Sequence, residues 1–266
     1  MEAATRLILA MPGRRMSNKP DSRNADLKNT LTLTRLLLFA AASLVLALGI
    51  SACQVVAGFS QPSLVRVIDA SYIAPAVNIY VQSTIFAGNV GEGYISNYGT
   101  AAPSPNALVK VNTVVGNSLL VSANVTLKPG AQHSVFLTDN GSTPTLYNVS
   151  VLEDAQTPAA SGHSEFRFLN QAPRTGPIDV YMIPAGTTMA NTIPICTNIP
   201  IGQTCGYVSF QSQPVTMVIT PAGVTTPKYT SQPLGLTGGE VRTVVMVDSQ
   251  LTADPPVSVV VANDVN

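Results

Sequence analysis

The chain holds three cysteines, two histidines and no tryptophan in 266 residues, so few side chains are available for chemistry. Cys196 and Cys205 enclose eight residues. In an oxidising compartment such a pair is expected to form a disulfide. A redox or metal role would need a Cys-x-x-Cys pair or further ligands, and neither is present. His133 precedes Ser134, and His163 precedes Ser164 and Glu165, which are hydrolase ingredients without the Gly-x-Ser-x-Gly elbow that would organise them. Asp139-Asn140-Gly141 reads as a hairpin turn, because the alternating oxygen ligands of a calcium loop are missing. Asn124, Asn140 and Asn148 lie in Asn-x-Ser/Thr sequons, a short pattern that by itself assigns no function. On this reading the chain has no catalytic residue, no metal site and no cofactor.

Cys53 has a different setting. Leu36 to Ala52 are 17 uncharged, mostly apolar residues, preceded by Lys19, Arg23, Lys28 and Arg35 and followed by the cysteine. Basic residues, an apolar run and small residues at the end have the form of an export signal. Ile50-Ser51-Ala52-Cys53 resembles a bacterial lipobox, which implies a lipidated Cys53 as the first residue of the processed chain. Two or three acyl chains would hold it on a membrane durably, at about 0.8 kcal/mol per buried methylene. Gln54 stands where Asp would favour inner-membrane retention, so the expected address is the outer membrane. Met16 is an alternative translation start. The expected organisation is a signal peptide over 1–52, a lipidated N-terminus and tether over 53–63, and globular sequence thereafter.

Without residues 1–52 the chain carries seven Lys/Arg against eleven Asp/Glu, with no basic run, which argues against a nucleic-acid partner. Its apolar runs, such as Leu64–Ile68, Leu108–Val111, Val215–Ile219 and Val241–Val247, are short and rich in β-branched residues, the pattern of strands. Pro and Gly punctuate them at Lys128-Pro129-Gly130, Thr220-Pro221-Ala222-Gly223 and Thr237-Gly238-Gly239.

The chain also matches itself. Arg66-Val67-Ile68-Asp69-Ala70 aligns with Arg167-Phe168-Leu169-Asn170-Gln171 at an offset of 101, and Asn78-Ile79-Tyr80-Val81 with Asp179-Val180-Tyr181-Met182 at the same offset. Gly93-Tyr94-Ile95-Ser96 aligns with Gly206-Tyr207-Val208-Ser209 at 113, and the segments after Leu127 and Leu236 align at 109. The expected fold is all-β, two tandem Ig-like β-sandwich domains over 64–155 and 164–266, joined by a linker at 156–163. The order Arg66-Val67-Ile68-Asp69-Ala70, Ala74-Pro75-Ala76-Val77-Asn78-Ile79-Tyr80-Val81 and a Leu-x-x-Gly turn into a terminal strand resembles the domain of unknown function 4397 family. The resemblance spans about Leu64 to Asn263 and implies secreted or lipid-anchored β domains, commonly in tandem, with no enzyme activity to carry over. Asn78 departs from the Asp usual there, and the residues around Cys196 form an insertion.

The repeat sharpens the reading of the polar positions. Arg66 and Arg167 recur in otherwise apolar strands and need partners if buried. Positions 69 and 170 hold Asp69 and Asn170, while 78 and 179 hold Asn78 and Asp179, so each repeat keeps one carboxylate and one amide. The expectation is a charge cluster within each repeat, Arg66 with Asp69 and Asn78, and Arg167 with Asn170 and Asp179. The rival reading is a ligand-binding arginine beside an open pocket. The counterpart of His133 is Arg242, which predicts a solvated strand position. These observations favour a non-catalytic envelope module that binds an envelope or extracellular protein or glycan, with the segments Gly99–Asn106 and Pro184–Gln203 as candidate binding loops. A small-ligand receptor, or an envelope enzyme with an unrecognised site, is the alternative.

Overall fold

The computed structural model describes residues 60–139, 147–249 and 257–265. The expected signal segment at 1–52, Cys53, Gln54 and Asn140-Gly141 lie outside them. Everything that follows lies within one compact unit, Ser60–Asn266.

Residues too β-branched for helices and too apolar for loops satisfy their backbone groups by pairing laterally. The first sandwich contains β1 (Ser63–Ala70), β2 (Val77–Val81), β3 (Thr84–Val90), β4 (Gly99–Ala101), β5 (Ser104–Thr113), β6 (Leu119–Leu127), β7 (Gln132–Asp139) and β8 (Tyr147–Asp154). The second contains β9 (His163–Gln171), β10 (Ile178–Pro184), β11 (Cys196–Ile199), β12 (Thr204–Gln211), β13 (Val215–Pro221), β14 (Tyr229–Thr230), β15 (Val241–Asp248) and β16 (Val257–Asn263). Four sheets result, ordered β4-β1-β7-β8 and β3-β2-β5-β6 in the first sandwich, β12-β9-β15-β16 and β11-β10-β13-β14 in the second. In both sandwiches the first strand runs parallel to the seventh, β1 with β7 and β9 with β15, while the other pairings are antiparallel. Two all-β sandwiches of one topology follow each other, as the repeat implies.

The two inner sheets, those containing β1 and β9, are covered on both faces. Val65 and Val67 of β1 and Val135 and Leu137 of β7 face the core of the first sandwich. The alternate residues Ile68, Ala70 and Phe136 instead pack against Leu169, Val245, Val247, Val260 and Ala262 of the second. Period-2 alternation sends successive side chains to opposite faces. Unbroken buried apolar stretches such as Val244–Val247 are therefore the mark of a sheet buried twice. The layers run outer, inner, inner, outer, and the seam between the inner sheets places the candidate site.

Cys196 on β11 and Cys205 on β12 are joined as a disulfide, which ties an edge of the outer sheet to an edge of the inner sheet in the second sandwich. Replacing both cysteines by alanine is expected to lower unfolding free energy by about 2–3 kcal/mol, through a less constrained unfolded chain. Chemical denaturation of the oxidised wild type and the double variant measures the difference.

Candidate functional site

Arg66 and Arg167 both point into the seam and are buried. Each reaches across to the aspartate that ends the other sandwich. Arg66 Nη2 donates to Asp264 Oδ1, its Nη1 to the carbonyl of Asn263 at 2.6 Å, and its Nε to Ser134 Oγ at 2.6 Å. Arg167 Nη2 donates to Asp154 Oδ1 at 2.5 Å, its Nη1 to the carbonyl of Glu153 at 2.8 Å, and its Nε to Thr243 Oγ1 at 3.1 Å. The hydroxyls pass the chain on, Ser134 Oγ to Asp154 Oδ2 and Thr243 Oγ1 to Asp264 Oδ2, both at 2.7 Å. Two tyrosines close it. Tyr98 donates to Asp154 Oδ2 at 2.8 Å and lies 4.9 Å under Arg66, while Tyr207 donates to Asp264 Oδ2 at 2.7 Å and lies 4.8 Å under Arg167. The two halves correspond closely, as in an isologous dimer written into one chain, and differ in that Arg167 Nη2 also donates to Thr243 Oγ1 at 2.7 Å while Arg66 Nη2 lies 3.7 Å from Asp154 Oδ2.

The electrostatics suit holding rather than reaction. Burial beside Asp154 and Asp264 pushes the Tyr98 and Tyr207 hydroxyls up, so both remain donors. Burial also raises the Asp264 carboxyl, opposed chiefly by Arg66. Two guanidinium groups balance two carboxylates whose four oxygens all accept hydrogen bonds. A group fully engaged in this way is a poor nucleophile or base.

The arginine clusters expected within each repeat do not form. Asp69 lies three residues from Arg66 on one strand, and an odd spacing puts the two on opposite faces; Asn170 and Arg167 are related in the same way. Asn78 and Asp179 sit on the outer sheets. They do share a role: Asn78 Oδ1 accepts from Asn89 N at 2.9 Å, and Asp179 Oδ1 from Asn198 N at 2.7 Å. Asn89 and Asn198 have φ of 53° and 50°, and the paired amide or carboxylate satisfies each kinked backbone. Asp69 and Asn170 accept from the backbone two residues on, at Ser71 and Ala172. Asp154, Asp264, Tyr98 and Tyr207 are the functional residues that sequence reasoning missed. The register pairs Arg167 with Tyr207 and Val65 with Gly99, so Tyr98, not Tyr94, is the counterpart of Tyr207.

His133 is also corrected. It is buried, its Nε2 accepts from Lys128 N at 3.3 Å, and burial lowers its pKa. It shares the face of Val135 and Leu137, which draws it inward although Arg242 stands at the matching position. His163 is exposed, with Nδ1 3.2 Å from the Ser161 carbonyl. Gly99–Asn106 consists mostly of β4 and the start of β5 rather than a loop. Pro184–Gln203 includes a 3-10 turn at Met189–Asn191, and Met189 packs on Tyr181, Ile183 and Val218 of the outer sheet. This arch leaves Ile193 85% exposed. A groove of about 420 Å³ adjoins the seam, lined by Arg66, residues 95–98 and the end of β16. Among the described residues no group of three or more His, Cys, Asp or Glu is placed to hold a metal.

Residues 63–181 match the family described as Domain of unknown function (DUF4397). The match takes in the first sandwich and runs through β9 into β10, short of the rest of the second. No curated protein matches the sequence. Among solved structures, the CBM26-family module CBMbc of Eubacterium rectale Amy13K, solved with maltoheptaose, is 13% identical. It covers 74% of this chain and 95% of its own, with a TM-score of 0.24. A Bacteroides eggerthii protein described as a cell-adhesion protein is 12% identical, with coverages of 77% and 96% and a TM-score of 0.21. Likenesses of this size assign this chain no ligand.

Proposed function

We propose that the chain is a non-catalytic binding module of the cell envelope, held on the outer membrane by lipid on Cys53, that presents the double sandwich to an envelope or extracellular protein or glycan. The observation that carries this reading is the closed seam: Arg66, Arg167, Asp154 and Asp264, the buried charges most suited to chemistry, are consumed in joining the repeats. What faces outward is rigid sheet and the disulfide-anchored arch with Ile193 at its surface, which suits recognition rather than turnover.

Two measurements test it. Cys53→Ala is expected to move the protein out of the outer-membrane fraction and to remove the added lipid mass from the intact chain; unchanged mass and fractionation would end the anchoring claim. Deletion of residues 186–194 is expected to lower capture of envelope components by the full chain, and unchanged capture would remove the arch from the proposal. A hydrolytic activity lost on replacing His133 or His163 would overturn the non-catalytic reading. The groove beside Arg66 favours a second reading, a small-ligand receptor, which saturable binding abolished by Asn97→Ala and Tyr98→Phe would support.

A further inference from the structure

The two tyrosines of the seam occupy equivalent places, yet their hydroxyls are not equally used. Tyr207 donates to Asp264 Oδ2 and also accepts the main-chain N–H of Ala155 at 3.1 Å. Tyr98 donates to Asp154 Oδ2 at 2.8 Å and accepts no hydrogen bond among the described residues. Val265 follows Asp264 as Ala155 follows Asp154, but it does not bring its N–H to Tyr98. A phenolic hydroxyl that donates once keeps the capacity to accept. The groove of about 420 Å³ opens where that acceptor stands, with Tyr98 in its lining, and its volume falls in the range of ligand sites.

Both walls of the groove are extended backbone. On one side Ser96 N donates to the Val67 carbonyl and Asp69 N to the Tyr94 carbonyl, so Tyr94 and Ser96 turn their peptide groups to β1. Alternation then turns the N–H groups of Ile95 and Asn97 away from it. On the other side Asp264 N donates to the Val241 carbonyl, so Asp264 and Ala262 face β15 while Val261 and Asn263 face outward. Arg66 takes the Asn263 carbonyl. The Asn263 N–H and both peptide groups of Val261 have no partner among the described residues. Val261 is 41% exposed, whereas Val151, its counterpart on β8, packs on the first core. The strand corresponding to β6 explains the difference: β14, close to Pro227 and Pro233, has two residues against nine. The groove has no charge to spare. Arg66 is matched by Asp264 with Asp154 3.7 Å away, so an anion would meet two carboxylates and a cation a guanidinium. Asn97 and Asn263 are exposed at its rim.

We propose that this groove binds a short neutral peptide in extended form, with one main-chain N–H donating to Tyr98 Oη and the adjoining peptide groups pairing with Val261. The inference rests on the small-ligand reading of the groove and gives that ligand its class. The molecule carries its own example of the contact, since a main-chain N–H is what Tyr207 accepts at the other end of the seam. A peptide also supplies donors and acceptors in alternation, which is what an outward-facing strand edge lacks. Its side chains would lie against Ile95 and Val261 and beside the Asn97 and Asn263 amides.

The test is calorimetric titration of the full chain, purified in detergent, with acetyl-Thr-Val-Thr-methylamide and with its analogue methylated at every backbone nitrogen. The unmodified peptide is expected to bind saturably at one site, and the analogue, which has no N–H to give, about tenfold more weakly or worse. Tyr98→Phe removes the acceptor and is expected to weaken the peptide about fivefold. It also removes a seam bond, so a second variant leaves the seam alone. Val261→Pro deletes an N–H that points away from β15, a position where an edge strand tolerates proline, and is expected to weaken the peptide by a similar factor with the urea midpoint little changed. No saturable peptide binding, equal binding of the methylated analogue, or either variant binding as tightly as the wild type would overturn the proposal. Saturable binding of N-acetylglucosamine lost in Asn97→Ala, with no binding of the peptide, would overturn the peptide assignment while the small-ligand reading stands.

Discussion

Replacing Arg66 by methionine is expected to destabilise the double sandwich by about 3–5 kcal/mol, with a similar loss for Arg167→Met. Removing one member of a buried ion pair strands the other charge where water cannot reach it. Asp264 would keep only the Tyr207 and Thr243 hydroxyls, and Ser134 would lose its donor from Nε. Methionine fills much of the arginine stem, so the loss reports the missing charge and hydrogen bonds more than a cavity. The repeats should also become less tightly coupled, because both arginines cross the seam. Urea unfolding followed by circular dichroism gives the free energy. A second, separable transition in the variant would mark the uncoupling, and a change below 1 kcal/mol for both variants would show that the seam does not depend on them.

The second large effect concerns pH. Asp69 is completely buried, its Oδ2 has no hydrogen-bond partner among the described residues, and burial pushes its carboxyl up to about 7, with Asp139 and Glu92 adding to the rise against the Ser71 amide. The folded state therefore holds a proton that the unfolded chain releases near pH 4. Stability attached to that proton is fully present below the unfolded value and is lost as pH rises through about 7. The loss is on the order of 4 kcal/mol at full ionisation. Burial also raises the carboxyls of Asp139, Asp248 and Asp264 above the usual range. The protein is expected to unfold at a higher temperature at pH 5 than at pH 8. Asp69→Asn should recover most of the difference at pH 8 while changing little at pH 5. The second repeat already carries this solution: Asn170 donates from Nδ2 to the carbonyls of Gly176 and Ile199. A variant no more stable than the wild type at pH 8 would refute the assignment.

The contrast between what was readable and what was not follows from the range of each interaction. Strands and turns are local, so Val241–Val247 and Lys128-Pro129-Gly130 could be read directly. The repeat could be read because equivalent positions keep equivalent residue types, Arg66 with Arg167 above all. The carboxylates that accept from those arginines could not be found by looking within one repeat, because Arg66 donates to Asp264 and Arg167 to Asp154, each in the opposite sandwich, while Asp154 lies a longer 3.7 Å from Arg66 in its own. Two signals nevertheless pointed outward. The spacing of three between Arg66 and Asp69 cannot place both on one face of a strand, and adjacent apolar residues such as Val67-Ile68 and Phe168-Leu169, which point to opposite faces, call for a second covered face. Tyr98 was hidden because the segment before it varies in length between repeats, and only strand register identifies it.

The central claim is that reciprocal arginine–aspartate exchange between the sandwiches, rather than a cluster within each, organises the buried charge. A double-mutant cycle on Arg66→Met and Asp264→Asn, measured by urea unfolding alongside a cycle on Arg66→Met and Asp69→Asn, tests it most directly. The account predicts a coupling of about 1–3 kcal/mol for Arg66 with Asp264 and near zero for Arg66 with Asp69. The reverse order would contradict it.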